Sequence, residues 1–170
     1  MDQEAFPPVA DEKCYQATLD WIQKRGVRLE EIAELTFFLQ KDYIPDLTME
    51  KCLESVRHVL TKREVQNAVM TGIQLDMLAE KKQIEEPLLS IINNDEGLYG
   101  IDEILSVAIL NVYGSIGLTN YGYIDRVKPG VLARLNNHDG KQTHTFLDDL
   151  VGAIAASASA RIAHSQSFDL

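Results

Sequence analysis

The stretch from Leu150 to Ala160 limits this chain most. It runs Leu-Val-Gly-Ala-Ile-Ala-Ala-Ser-Ala-Ser-Ala without a single charge. Gly152, Ala156 and Ala160 recur at four-residue steps, so they share one face of a helix and let a neighbouring helix come close. The run is too short to cross a bilayer, which takes about 20 apolar residues. Two adjacent acids, Asp148 and Asp149, stand at its mouth. The same arrangement occurs 46 residues earlier (100 against 146), in Gly100-Ile101-Asp102-Glu103-Ile104-Leu105, again two acids ahead of an apolar helical run.

The rest of the chain supplies a helical frame. No alternating strand pattern occurs, so the fold class is all-α, a compact multi-helix bundle with central apolar helices. A chain of 170 residues suffices for one domain with a sizeable core. Residues 1–12, with Pro7-Pro8, read as a flexible arm, and 13–170 as the domain. Helices are expected at about 13–24, stopping at Gly26, at 29–41, and at 49–60 behind a Thr48 cap. A fourth begins at Thr61, whose spacing to Glu64 is that of a capping box, and runs to about Gln83. Val65, Val69, Gly72 and Asp76 share its inward face, so Asp76 needs a partner or a metal.

A short helix at about 86–92 leads into the polar loop Asn93 to Gly97. The helix after Asp102 is apolar almost all round, through Leu105, Ala108, Ile109 and Val112, and is expected to be central and buried. Gly114 to Gly122 reads as a glycine-rich loop, 128–135 as a short helix with Pro129 in its first turn, and 145–164 as the last helix.

Charge narrows the function. Sixteen basic side chains against 26 acidic ones give −10, which excludes non-specific nucleic-acid binding and disfavours an anionic membrane. It leaves carboxylates available for hard cations. Cys14 and Cys52 sit among apolar neighbours and read as buried, reduced thiols. The opening residues have no secretory-signal pattern, so a cytoplasmic protein is expected, with membrane contact at most peripheral.

One acid at a helix N-terminus is routine, because it meets free N–H groups and the positive end of the dipole. Two acids in both repeats exceed that need, and crowded acids call for a divalent cation. The candidate ligands are Asp76, Asp102, Glu103, Asp148 and Asp149, with Mg²⁺ as the cation and Mn²⁺ as its substitute. His138 precedes the second acid pair and is the candidate proton donor, with Asp139 and Asp149 beside it in the catalytic set. Gly114, Ser115, Gly117 and Thr119 are the candidate phosphate cradle, since glycine allows close backbone approach. Lys62, Arg63, Arg126, Lys128, Arg134 and Lys141 are further candidate phosphate partners, whereas His58 and His164 read as structural.

The run His138-Asp139-Gly140, followed by Phe146-Leu147-Asp148-Asp149-Leu150-Val151-Gly152, resembles the end of the phosphatidylglycerophosphatase A family. Asp139, Asp148 and Asp149 fall on that family's acidic positions, with Asp149 in place of the commoner Glu. The whole chain is closer to the soluble branch related to the low-temperature-requirement C protein, in which the Gly-Ser-Ile-Gly-Leu-Thr-Asn segment also recurs. The resemblance implies Mg²⁺-dependent removal of a phosphate monoester from phosphatidylglycerophosphate, in phospholipid biosynthesis. Membrane-bound members carry transmembrane helices that this chain lacks, so a soluble phosphate ester stands beside the lipid as substrate.

Two rival readings are carried. An all-α nucleoside triphosphate pyrophosphatase would use the helical pair Glu31 and Glu34, with Asp76 and Glu80. A non-enzymatic helical protein would use the acids structurally and oligomerise through its small-residue last helix. A homodimer is compatible with every reading.

Overall fold

The computed structural model describes residues 6–137 and 142–166. Among them, nine helices and no strand form the fold: α1 (Asp11–Lys24), α2 (Leu29–Gln40), α3 (Met49–Leu60), α4 (Arg63–Glu80), α5 (Leu88–Asn93), α6 (Ile101–Leu110), α7 (Gly114–Val127), α8 (Val131–Leu135) and α9 (Leu147–Gln166). The all-α expectation holds, and most boundaries fall within a few residues of those read from the sequence. Gly26 turns the chain after α1 in the left-handed region (φ 82°), and Thr48 caps α3 by accepting from the Lys51 N–H at 3.2 Å. The capping box expected at Thr61 does not form. The Thr61 hydroxyl instead donates back to the His58 carbonyl at 2.6 Å, and α4 starts two residues later.

α9 is the axis of the molecule. It touches α2, α3, α4, α6, α7 and α8, and every residue from Leu147 to Ala160 is buried. Small side chains make this possible, because neighbours can approach α9 from every side. The Tyr121 ring lies 3.6 Å from where a side chain on Gly152 would begin. Polar side chains of the surrounding helices reach α9 directly: the Ser55 hydroxyl donates to the Ala158 carbonyl at 2.9 Å, and the Asn120 amide donates to the Ser159 hydroxyl at 2.7 Å. The small-residue face of Gly152, Ala156 and Ala160 therefore packs inside the monomer.

Two expectations are corrected. α6 is not the central helix: its inner face, with Ser106, Ile109 and Leu110, is buried, but Ile101, Ile104 and Val107 lie exposed. An apolar composition all round did not distinguish a core helix from one with an unpaired face. Gly114 to Gly122 is not a loop but the first part of α7. Its glycines serve packing: Gly117 is buried against Leu110 and Tyr113, and Gly114 starts the helix with φ 77°.

Both cysteines are buried and free, and burial pushes the Cys52 thiol up to about 11. No helix among the described residues is long and apolar enough to cross a membrane.

Candidate functional site

The head of α9 is built by acids. Asp76 of α4, fully buried, accepts from the Phe146 N–H at 3.1 Å and the Leu147 N–H at 3.0 Å. It thus satisfies N–H groups that the first turn of a helix cannot pair internally. Burial raises its pKa well above the ordinary carboxylate range, against the opposing pull of those two N–H groups and of Arg25. In the same turn, an Asp148 carboxylate oxygen accepts from the Asp149 N–H at 2.9 Å.

Asp148 and Asp149 face a cleft of about 220 Å³. Its other acids are Asp102 and Glu103 from the head of α6, Asp95 and Glu96 from the preceding loop, and Asp125 from α7. Asp102, Asp148 and Asp149 are each no more than 9% exposed, so this is not a solvated acidic surface. Lys128, just beyond α7, is the cation of the cleft among the described residues, and Asn136 completes the lining. The Lys128 ammonium bridges Asp125 at 2.8 Å and Asp148 at 3.1 Å.

The helices explain this meeting of charges. Tyr121 lies against Gly152, Asn120 against Ser159 and Lys128 against Asp148, so α7 and α9 run antiparallel. The negative end of the α7 dipole thereby delivers a lysine, and the positive end of α9 delivers two aspartates. Lys128 and Asp95 both hold left-handed backbone (φ 47° and 48°), uncommon outside glycine and costing about 1 kcal/mol or more each.

Electrostatics follow from burial. Desolvation raises the Asp149 pKa most, and the charges of Asp148, Asp102 and Asp125 add to it. Asp148 is also raised by burial, but Lys128 pulls against the rise. For Lys128 burial opposes the charge, yet Asp148 and Asp125 outweigh it and its pKa rises. Beneath Asp149 lie two buried hydroxyls, Tyr121 and Ser106, neither with a hydrogen bond of ordinary geometry.

The described residues give most sequence-derived candidates a place. Asp102, Glu103, Asp148 and Asp149 come together in the cleft. Asp76 does not line it, since its oxygens serve the α9 backbone. Gly114, Ser115, Gly117 and Thr119 belong to the opposite part of α7, and the Thr119 hydroxyl donates to the Ser115 carbonyl at 3.1 Å, within the helix. None of these four lines the cleft, which corrects the phosphate-cradle expectation. His138 and Asp139 lie outside the described residues, although Asn136, two positions earlier, lines the cleft. The chain resumes in a clamp. Buried Arg25 pairs with Glu80, Glu80 accepts from the Thr143 N–H at 2.7 Å, and Arg25 donates to the Thr143 carbonyl at 2.7 Å.

The pyrophosphatase set does not converge. Glu31 pairs with Arg134 at 2.8 Å, Glu80 pairs with Arg25, and Asp76 caps α9. Sequence reasoning missed Asp95 and Asp125 as site acids. Asp125 had one signal, its i,i+3 spacing to Lys128 just before Pro129-Gly130.

Among the described residues the donor set suits a hard divalent cation: seven carboxylates, with no sulfur or imidazole, around the Lys128 ammonium. No three acids among the described residues are drawn into one ligation shell, and Lys128 pairs with Asp125 and Asp148.

Fold and site define an all-helical protein with a carboxylate-lined cleft at the head of its core helix. The family described as phosphatidylglycerophosphatase A matches residues 18–164, and the chain belongs to that family. It is 59% identical over 143 residues to the uncharacterized protein YutG of Bacillus subtilis, a span of 84% of this chain and 86% of YutG. The crystal structure of low temperature requirement C protein from Listeria monocytogenes is 59% identical and superposes with a TM-score of 0.91, over 93% of this chain and 99% of that one. The crystal structure of YpjQ from Bacillus subtilis, 47% identical, covers 95% of this chain and all of its own, also with a TM-score of 0.91.

Proposed function

We propose that this chain is a divalent-cation-dependent phosphomonoester hydrolase, with phosphatidylglycerophosphate, the compound its family is named for, as the first substrate. The observation that supports this most is the Asp148–Asp149 pair, nearly buried, sharing one cleft with Asp102, Asp125 and the Lys128 ammonium. Asp149, Asp148 and Asp102 are the residues that would hold Mg²⁺ or Mn²⁺, with Asp125 and Glu103 at the rim. Bound there, the cation supplies charge that polarises a phosphoryl oxygen and lowers the pKa of a water.

The chain's own groups do the rest. Lys128 carries a compact ammonium with three donors, suited to a phosphoryl oxygen as well as to the carboxylates it bridges. The Asn136 amide is a neutral donor in the same lining. Seven carboxylates repel a phosphate dianion, so the substrate needs the cation and Lys128 together to enter. His138, proposed to protonate the leaving oxygen, and Asp139, on a family acidic position, lie two and three positions after Asn136 in the chain.

The test is a substrate panel with Mg²⁺: phosphatidylglycerophosphate, glycerol 3-phosphate and a nucleoside triphosphate, scored for orthophosphate and pyrophosphate separately. Orthophosphate from a monoester is the expected product. Pyrophosphate from the nucleotide, with no monoester turnover, would overturn the reading.

A further inference from the structure

Beside the cleft, α6 turns an apolar stripe outward. Ile101, Ile104, Ala108 and Val112 follow one another at three- and four-residue steps, and Val107 lies next to them. Ile104 is 65% exposed and Ile101 52%, while Leu98, just ahead of the helix, is fully exposed. Together the exposed aliphatic side chains of Leu98, Ile101, Ile104, Val107 and Val112 reach roughly 500 Å², in the range of the largest patch of an ordinary monomer.

Charge selects the occupant. The stripe carries no lysine or arginine, and the acids of the cleft border it at the α6 head, on a chain of net charge −10. A surface that docks on anionic lipid needs the reverse, a basic rim around its apolar side chains. The same stripe on a second copy matches in chemistry, and its area meets the apolar share, somewhat over half, of the ~800 Å² each partner gives to a standard interface. Antiparallel pairing also separates the acids. Ten residues make α6 about 15 Å long, so the two clefts would sit at opposite ends of the paired helices and both stay open.

We propose that two copies of this chain associate about a two-fold axis through the exposed α6 stripe, with Ile104 and Val107 at its centre. The interface joins the cleft-bearing helices of both copies. It does not use the small-residue face of α9, which the monomer's own core consumes.

Sedimentation velocity of the full chain, from 1 to 100 μM, tests this. The expected result is a dimer whose dissociation constant rises at least 100-fold in Ile104→Glu, with an unchanged far-ultraviolet dichroism spectrum. A wild-type monomer throughout the range overturns the proposal, as does an Ile104→Glu dimer as tight as wild type. Should Ile104→Glu lose its helical signal, Ile104→Cys treated with a short bismaleimide decides. A cross-linked dimer upholds the interface and its absence rejects it, since Cys14 and Cys52 are buried. A monomer that instead floats with phosphatidylcholine–phosphatidylglycerol vesicles overturns it in favour of a bilayer.

Discussion

Replacing Lys128 with methionine removes the cleft's ammonium while keeping most of its aliphatic length and its left-handed backbone. The loss is bounded from above. Without its cation, buried Asp148 can take up a proton, and holding an acid of ordinary pKa near 3.9 neutral at pH 7 costs about 4 kcal/mol. Burial already raises Asp148 in the wild type, so part of that cost is present before the substitution. The Asp125 contact adds a few tenths of a kcal/mol, because Asp125 is 35% exposed and screened. The expected loss at pH 7 is about 1–3 kcal/mol, or roughly 3–10 °C in unfolding temperature for a chain of this size. It should shrink as pH falls through about 6, below which Asp148 is protonated with or without Lys128. The assay is thermal unfolding followed by circular dichroism, with and without Mg²⁺. Because the variant leaves the cleft's acids without their cation, Mg²⁺ should raise its unfolding temperature more than that of the wild type. Unchanged stability, with no greater response to Mg²⁺, would refute the electrostatic account of the cleft.

Other outcomes follow from the same packing. Asp76→Ala leaves two α9 N–H groups buried without an acceptor and should cost about 2–4 kcal/mol in urea unfolding, more than Asp76→Asn, which keeps one acceptor oxygen. Asp76, Asp148 and Asp149 all have folded-state pKa values above their unfolded ones, so the folded state binds more protons. Stability in EDTA should therefore fall as pH rises from about 4 through the neutral range, and the slope should weaken in Asp76→Asn. Gly72→Ala would bring a Cβ within 2.5 Å of Leu150 Cδ1 and 2.9 Å of Phe146 Cβ, and should cost about 1–3 kcal/mol by overpacking.

The helical frame was legible because period and punctuation are local properties: Gly26, Thr48 and the apolar steps of α2 and α3 mark their own ends. The acids at the heads of α6 and α9 were legible for the same reason. Asp125 was not, and Lys128 was read only as one of six candidate phosphate partners, because both meet Asp148 only through the antiparallel packing of α7 on α9. That packing depends on glycines that the sequence offers equally to a loop. Asp76 was read rightly as an inward acid in need of a partner, but the partner is a pair of backbone N–H groups 70 and 71 positions away. That α9 is enclosed on every side and α6 is not has one cause. Alanine, serine and glycine admit neighbours on every side, whereas the larger side chains of α6 leave one stripe uncovered.

Orthophosphate release from phosphatidylglycerophosphate by EDTA-treated protein, titrated with Mg²⁺ and repeated with Asp149→Asn, tests the central claim most directly. The account predicts no turnover without the cation and saturable turnover with it. In the folded variant it predicts a loss on the order of 100-fold or more. Equal turnover in EDTA, or a fully active Asp149→Asn, would contradict it.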